Sequence, residues 1–215
     1  MRRNNMALNT PEDCCLWACF GHIVLGYIFA DMYTGFGHWF VDSYFEHFKA
    51  YVVQRKWLYK ACAFVTSNAP DHHEHPSAFL ELPTHFMLRQ GLWQSGTAVL
   101  ALRWAFGANA YFCASAFFWG ALTHLAHAWS HTREDRNPRP VRWAQRLRLL
   151  NPTAAHRAHH RDYVGDYNII GGLLNPALDA LGFWRLLETV LFRGFGVPVH
   201  ASDRPADRKG AMYLW

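Results

Sequence analysis

The sequence predicts an all-α integral membrane protein with three to four transmembrane helices and a histidine-rich helical cap on the cytosolic side. Three observations predict it: apolar runs of bilayer length recur, charged residues are scarce, and histidines crowd into short groups with helical spacing. Charged residues make up 17% of the 215-residue chain, against about 25% in soluble domains. The mean hydropathy of −0.12 is too mild for a bundle with only short loops. A few spans under a large polar cap fit better. The length suits one domain over residues 1–215.

The first expected span is residues 16–36, LWACFGHIVLGYIFADMYTGF, close to the ~20 residues that cross a bilayer core. The acidic PED ahead of it favours a helix N-terminus. Residues 45–67 alternate aromatics with Lys49, Arg55, Lys56 and Lys60 and predict an amphipathic helix in the interface. Pro70, Pro76 and Pro83 make 68–90 loop-like. Residues 91–107 and 109–128 are the next apolar runs, separated by Gly107-Ala108-Asn109, and predict a helical hairpin. Arg103 in its first arm must face protein or snorkel. The apolar run begins late and lacks a small-residue cleavage site, so no cleavable signal is expected.

With these three spans, every dense histidine group falls on one membrane face. That face also holds most Lys and Arg, and the positive-inside rule makes it cytosolic. The formal charge of +5 is modest and no long basic run occurs, which argues against a nucleic-acid partner. Five cysteines without a CxxC pair imply reduced thiols.

Four groups carry the chemistry. In ADMYTGFGHWFVD (30–42), positions 31, 35, 38 and 42 fall within roughly 60° on a helix. His38 and Asp42 thus share a stripe with Asp31, an acid inside an apolar span. The second group is His72-His73-Glu74-His75-Pro76. The third is HLAHAWSH, where His124, His127 and His131 share one face. The fourth is HRAHH, with His156, His159 and His160 at i, i+3 and i+4. His22, His47, His85 and His200 stand alone and read as structural. Neutral imidazoles suit Zn, Cu, Fe and Ni. HExxH is absent, and no cysteine lies in the groups, which disfavours structural zinc and iron–sulfur. Haem would leave most of these histidines idle. Two iron ions use the ligand number best, and O2-dependent chemistry on an unactivated C–H bond follows.

The same segments resemble the Kua / plasmanylethanolamine desaturase family, the lipid desaturase domain, which also includes plant plastid enzymes making a trans double bond near the acyl carboxyl end. ADMYTGFGHWFVD is similar to its ADxxxGxxHWxxD helix, HHEHP to HHxxP, HAWSH to HxxxH and HRAHH to HxxHH. YNIIGGLLNPALDALGFWRLLE resembles its C-terminal pattern. The resemblance implies metal ligation by His38, Asp42, His72, His73, His127, His131, His156, His159 and His160. At His124 relatives often carry Gln. It also implies two iron ions, a membrane lipid substrate, O2, and an electron donor such as cytochrome b5 or ferredoxin. Asn168 stands where the family has Cys, and the stretch after HHEHP departs from the family pattern. The expected activity is desaturation of a lipid chain, foremost the vinyl-ether bond of an ether phospholipid. A phospholipid acyl-chain desaturase or a lipid hydroxylase would use the same histidines. A metal transporter would instead place them near the bilayer midplane. The expected location is an integral membrane position with the metal site facing the cytosol, in the endoplasmic reticulum if the source is eukaryotic.

Overall fold

A computed structural model describes the backbone of residues 11–53, 78–162 and 165–199, with side chains from 15–44, 80–162 and 165–199. Among the described residues all regular structure is helical: α1 (Pro11–Val53), α2 (Thr84–Phe106), α3 (Ala110–Ala121), α4 (Thr123–His131), α5 (Arg139–Arg146), α6 (Thr153–Asp162), α7 (Asn175–Ala180) and α8 (Phe183–Phe195).

Helix α1 is much longer than the expected first span. No proline occurs between Pro11 and Pro70, so nothing covalent ends it. It runs past Asp42 and absorbs the start of the expected interfacial segment 45–67, the rest of which lies outside the described residues. Among the described residues this is the one helix long and apolar enough to cross a membrane, from Cys15 to Tyr44. Its outer side exposes Leu16, Trp17, Phe20 and Leu25.

The expected spans 91–107 and 109–128 form a hairpin with different boundaries. Helix α2 begins seven residues early, at Thr84 after Pro83, a residue suited to a helix start. It ends on Gly107, whose left-handed φ of 62° closes the helix while its N–H donates to Arg103 O at 3.1 Å. The Arg103 guanidinium reaches forward and donates to Ala108 O in the same turn. Asn109 then caps α3 by accepting from the Tyr111 N–H at 2.8 Å. The returning arm is not one helix. It breaks at Leu122 into α3 and α4, and the 12 residues of α3 reach only about 18 Å. The Thr123 hydroxyl donates to Gly120 O at 2.7 Å, a side-chain bond that competes with the helical ladder.

Small residues let these helices approach closely. A Cβ on Gly91 would overlap Ala121 O across the α2–α3 contact, and one on Gly120 would meet Ser95 Cβ at 2.7 Å. Ser115 donates to Ile23 O of α1 at 2.7 Å, and Tyr27 packs edge-on to Trp119 with ring centroids 5.0 Å apart.

The C-terminal half wraps back onto α1. The buried Asp31 carboxylate accepts from the Gly171 N–H at 2.9 Å, the Gly172 N–H at 3.2 Å and Asn168 Nδ2 at 3.4 Å. Asp31 therefore clamps the 168–172 turn to α1. Each of those buried donors would otherwise cost about 1–3 kcal/mol. Gly35, one turn on, takes the Asn168 side chain against its bare Cα. Beyond it, Trp39, Tyr44, Tyr167 and Trp184 form an aromatic core that fixes α8.

Two alanine substitutions test this seat. Gly35→Ala places a methyl on Asn168 and is expected to cost about 1–3 kcal/mol. Gly37 has nothing near its Cα, and Gly37→Ala is expected to be neutral or to stabilise by up to about 1 kcal/mol. Thermal unfolding in detergent separates them.

Candidate metal centre

Among the described residues, two groups of ligand atoms form at the end of the bundle. The first contains His127 and His131 from α4 with His156 and His160 from α6. One helical turn separates the partners of each pair, so both rings on a helix reach one point. The Nε2 atoms of His127 and His156 are 3.0 Å apart, those of His131 and His127 3.1 Å, those of His156 and His131 2.9 Å, and those of His160 and His156 3.1 Å. Hydrogen bonding alone does not account for this. The His156 Nε2 has one lone pair or one proton, yet stands within 3.1 Å of three other Nε2 atoms. Two nitrogens held about 2.1 Å from one ion at right angles are about 3 Å apart, which is the observed spacing.

The second group is His38 and Asp42 from α1 with His159 from α6. His38 Nε2 is 3.4 Å and His159 Nε2 3.2 Å from the same Asp42 Oδ2. The far nitrogens decide the tautomers. His38 Nδ1 is 3.0 Å from Tyr167 O, and His159 Nδ1 is 2.8 Å from Gly165 O. A carbonyl only accepts, so each Nδ1 carries the proton and donates. In the neutral rings both Nε2 lone pairs then face a carboxylate oxygen. Three buried lone pairs converging on one spot repel unless a cation sits among them. Backbone carbonyls that orient ligand imidazoles in this way are typical outer partners of metal sites.

The groups adjoin. The His38 ring centroid is 5.3 Å from that of His127, and the His156 centroid is 5.7 Å from that of His159. Helix α6 serves both, with His156 and His160 facing one group and His159 the other. His156 is fully buried among rings. Burial first, then its neighbours His131, His159, His160 and His38, holds it well below the ordinary histidine range. Its neutral form, the ligating one, therefore dominates at neutral pH.

The sequence-predicted residues divide clearly. The structure brings together His38, Asp42, His127, His131, His156, His159 and His160. It places His124 with its Nε2 3.2 Å from Gln94 Oε1, and the two groups do not include it. His72 and His73, with Glu74 and His75, lie outside the described residues. Asp31, on the same stripe as His38, holds backbone amides instead. His22 bonds Ala18 O within its own helix at 2.7 Å. Sequence reasoning missed Gln94 and the carbonyls of Gly165 and Tyr167; backbone acceptors leave no residue-type signal. A cavity of about 270 Å3 opens on the first group, lined by Leu80, Ser130, His131, Thr153, Arg157 and His160. Trp39 is buried and donates to Glu188 at 3.1 Å, while Phe117 and Phe118 are exposed.

Residues 27–202 match the family model described as the lipid desaturase domain. The chain belongs to this family. Members similar to it include fatty acid desaturase 4-like 2, chloroplastic, of Arabidopsis thaliana, 29% identical over 189 residues that cover 84% of this chain and 62% of that protein. Plasmanylethanolamine desaturase of Myxococcus xanthus is 27% identical over 211 residues, 92% of this chain and 69% of its own length. Plasmanylethanolamine desaturase 1 of Mus musculus is 36% identical over 93 residues, 43% of this chain and 33% of that protein. The chain spans about three-fifths of the length of the first two plant relatives it matches. No solved structure matches it. The segment that matches the family model covers both groups of ligand atoms.

Metal analysis of the purified chain tests the geometry. His131→Ala and His38→Ala are each expected to lose part of the bound transition metal and the double variant nearly all of it. His22→Ala should retain the parent content.

Proposed function

We propose that the chain is an O2-dependent membrane lipid desaturase whose seven convergent ligands hold two iron ions, with His72 and His73 completing the set. The observation that carries this reading is the pair of adjoining ligand groups in a member of the lipid desaturase domain family. Bound iron would supply the activation of O2 and the removal of hydrogen. The overall reaction converts a –CH2–CH2– unit, O2, two electrons and two protons into –CH=CH– and two waters. The electrons come from a one-electron carrier such as cytochrome b5 or ferredoxin.

The chain's own residues have separate tasks in this reading. Tyr167 O and Gly165 O keep the Nδ1 protons on His38 and His159, so both Nε2 atoms present lone pairs. Asp42 offsets cationic charge in a site where water is scarce. The cavity beside His131 and His160 receives the lipid chain. Helix α1 anchors the domain in the bilayer, with the metal centre at the cytosolic face and, in a eukaryote, in the endoplasmic reticulum.

An ether phospholipid is the preferred substrate, giving the vinyl ether of a plasmalogen. Two relatives named plasmanylethanolamine desaturase support it. A phospholipid acyl chain is the second reading, supported by the Arabidopsis relatives named fatty acid desaturases. Expression in cells lacking plasmalogens, followed by lipid mass spectrometry, tests both. The expected result is a vinyl-ether lipid that disappears with His73→Ala and with His156→Ala. A new acyl double bond instead would select the second reading. A hydroxylated chain, or purified protein holding one zinc and no iron, would refute desaturation.

A further inference from the structure

Residues 132–150 join the helix carrying His127 and His131 to the helix carrying His156 and His160. They hold six arginines against Glu134 and Asp135, and no lysine. Two contacts clamp this connection to the body of the protein. Asn137 Nδ2 donates to Trp129 O at 2.8 Å, and Gln145 Nε2 donates to Asn151 O at 3.0 Å. Helix α5 within it buries Val141 and Gln145. Those two positions lie about 40° apart on the helix, and Trp143 projects from the opposite side. Trp143 is 63% and Leu147 65% exposed. Arg139 and Arg146 are exposed and lie within about 60° of Trp143 on that outer face. Arg146 comes within 3.7 Å of Glu134, but both are mostly exposed, and such a pair is worth little.

The position of this face narrows what it meets. The Tyr27 hydroxyl donates to Arg148 O at 3.0 Å, and Tyr27 belongs to the apolar stretch Cys15–Tyr44 of α1. The chain just beyond α5 therefore lies against α1, on the side of the helix that also carries the exposed Phe20, Ile23 and Val24. An acidic protein surface would match the arginines and leave Trp143, Leu147 and Leu149 without apolar cover. A lipid leaflet matches both, since acyl chains take the apolar tip and anionic headgroups take the guanidinium groups.

We propose that α5 lies in the bilayer interface, with Trp143 and Leu147 in the acyl boundary and Arg139, Arg142 and Arg146 on anionic headgroups. In that seat it fixes the height of the metal centre above the lipid from which the substrate comes. The proposal rests on the membrane-embedded reading of the chain, not on the identity of the metal or the product.

The test uses the full chain in nanodiscs of phosphatidylcholine with and without phosphatidylglycerol. A nitroxide is attached at Trp143→Cys, and separately at Val24→Cys on α1, in a chain whose native cysteines are replaced by serine. Collision with dissolved O2 marks lipid contact, and collision with a water-soluble nickel chelate marks water. Both labels are expected to favour O2, with the position-143 label shallower. A lipid-buried label at 24 with a chelate-accessible label at 143 would overturn the α5 proposal alone. So would a position-143 label that is protected only when an acidic electron-carrier protein is added. Chelate access at both positions would overturn the membrane reading with it. A second measurement needs no cysteine changes: phosphatidylglycerol is expected to raise the unfolding temperature of the parent and not of R139Q/R142Q/R146Q. An equal rise in both would also overturn the proposal.

Discussion

Seven ligand atoms stand closer together than their own hydrogen-bonding capacity explains, and this crowding organises everything around it. In the smaller group the repulsion is plainest, because two imidazole lone pairs and a carboxylate oxygen face one another in a buried place. A cation resolves it. A single proton would satisfy only one of the two Nε2–Oδ2 contacts, and charging both rings against one carboxylate would bury a net positive charge. Helices α1, α4 and α6 must meet at one end for the crowding to exist. The hairpin glycines, the break at Leu122 and the clamp on Asp31 all bear on that meeting.

The clamp has the longest reach. Asp31 sits two turns before His38 and bonds the Gly171–Gly172 amides, which steadies the segment whose Tyr167 carbonyl aims the His38 ring. Asn168 joins the same network through its side chain, and its backbone N–H donates to Asn175 Oδ1 at 3.0 Å. An acid in an apolar span thus acts on the site through the backbone turn it holds rather than by ligating. It lies outside both ligand groups.

Much of this was legible in the sequence because histidine is rare and its helical spacing is informative. Residues 127/131 and 156/160 are each one turn apart, and that spacing predicts a shared point. Position 38 with 42 follows the same arithmetic. The partition was not legible. Nothing in HRAHH says that His159 turns to α1 while its neighbours turn to α4, because tertiary packing decides it. His124 shares a face with His127 yet meets Gln94, a residue without metal-site character. Helix limits failed where the local signals are weak: α1 runs on for want of a proline, and the arm expected as one span breaks where Thr123 bonds back to Gly120. The helical class follows from apolar periodicity, whereas the number of helices able to cross a bilayer depends on length and breaks that composition does not record.

Helix α6 contributes adjoining residues, His159 and His160, to different groups. The gap between the groups is therefore a property of one rigid rod. Rotamer changes can re-aim a single ring, but they leave the spacing of Cα positions along the helix untouched. Like two marks on a ruler, the positions from which α6 serves the two groups keep their separation. Ions of different radius would have to adapt to that interval rather than set it.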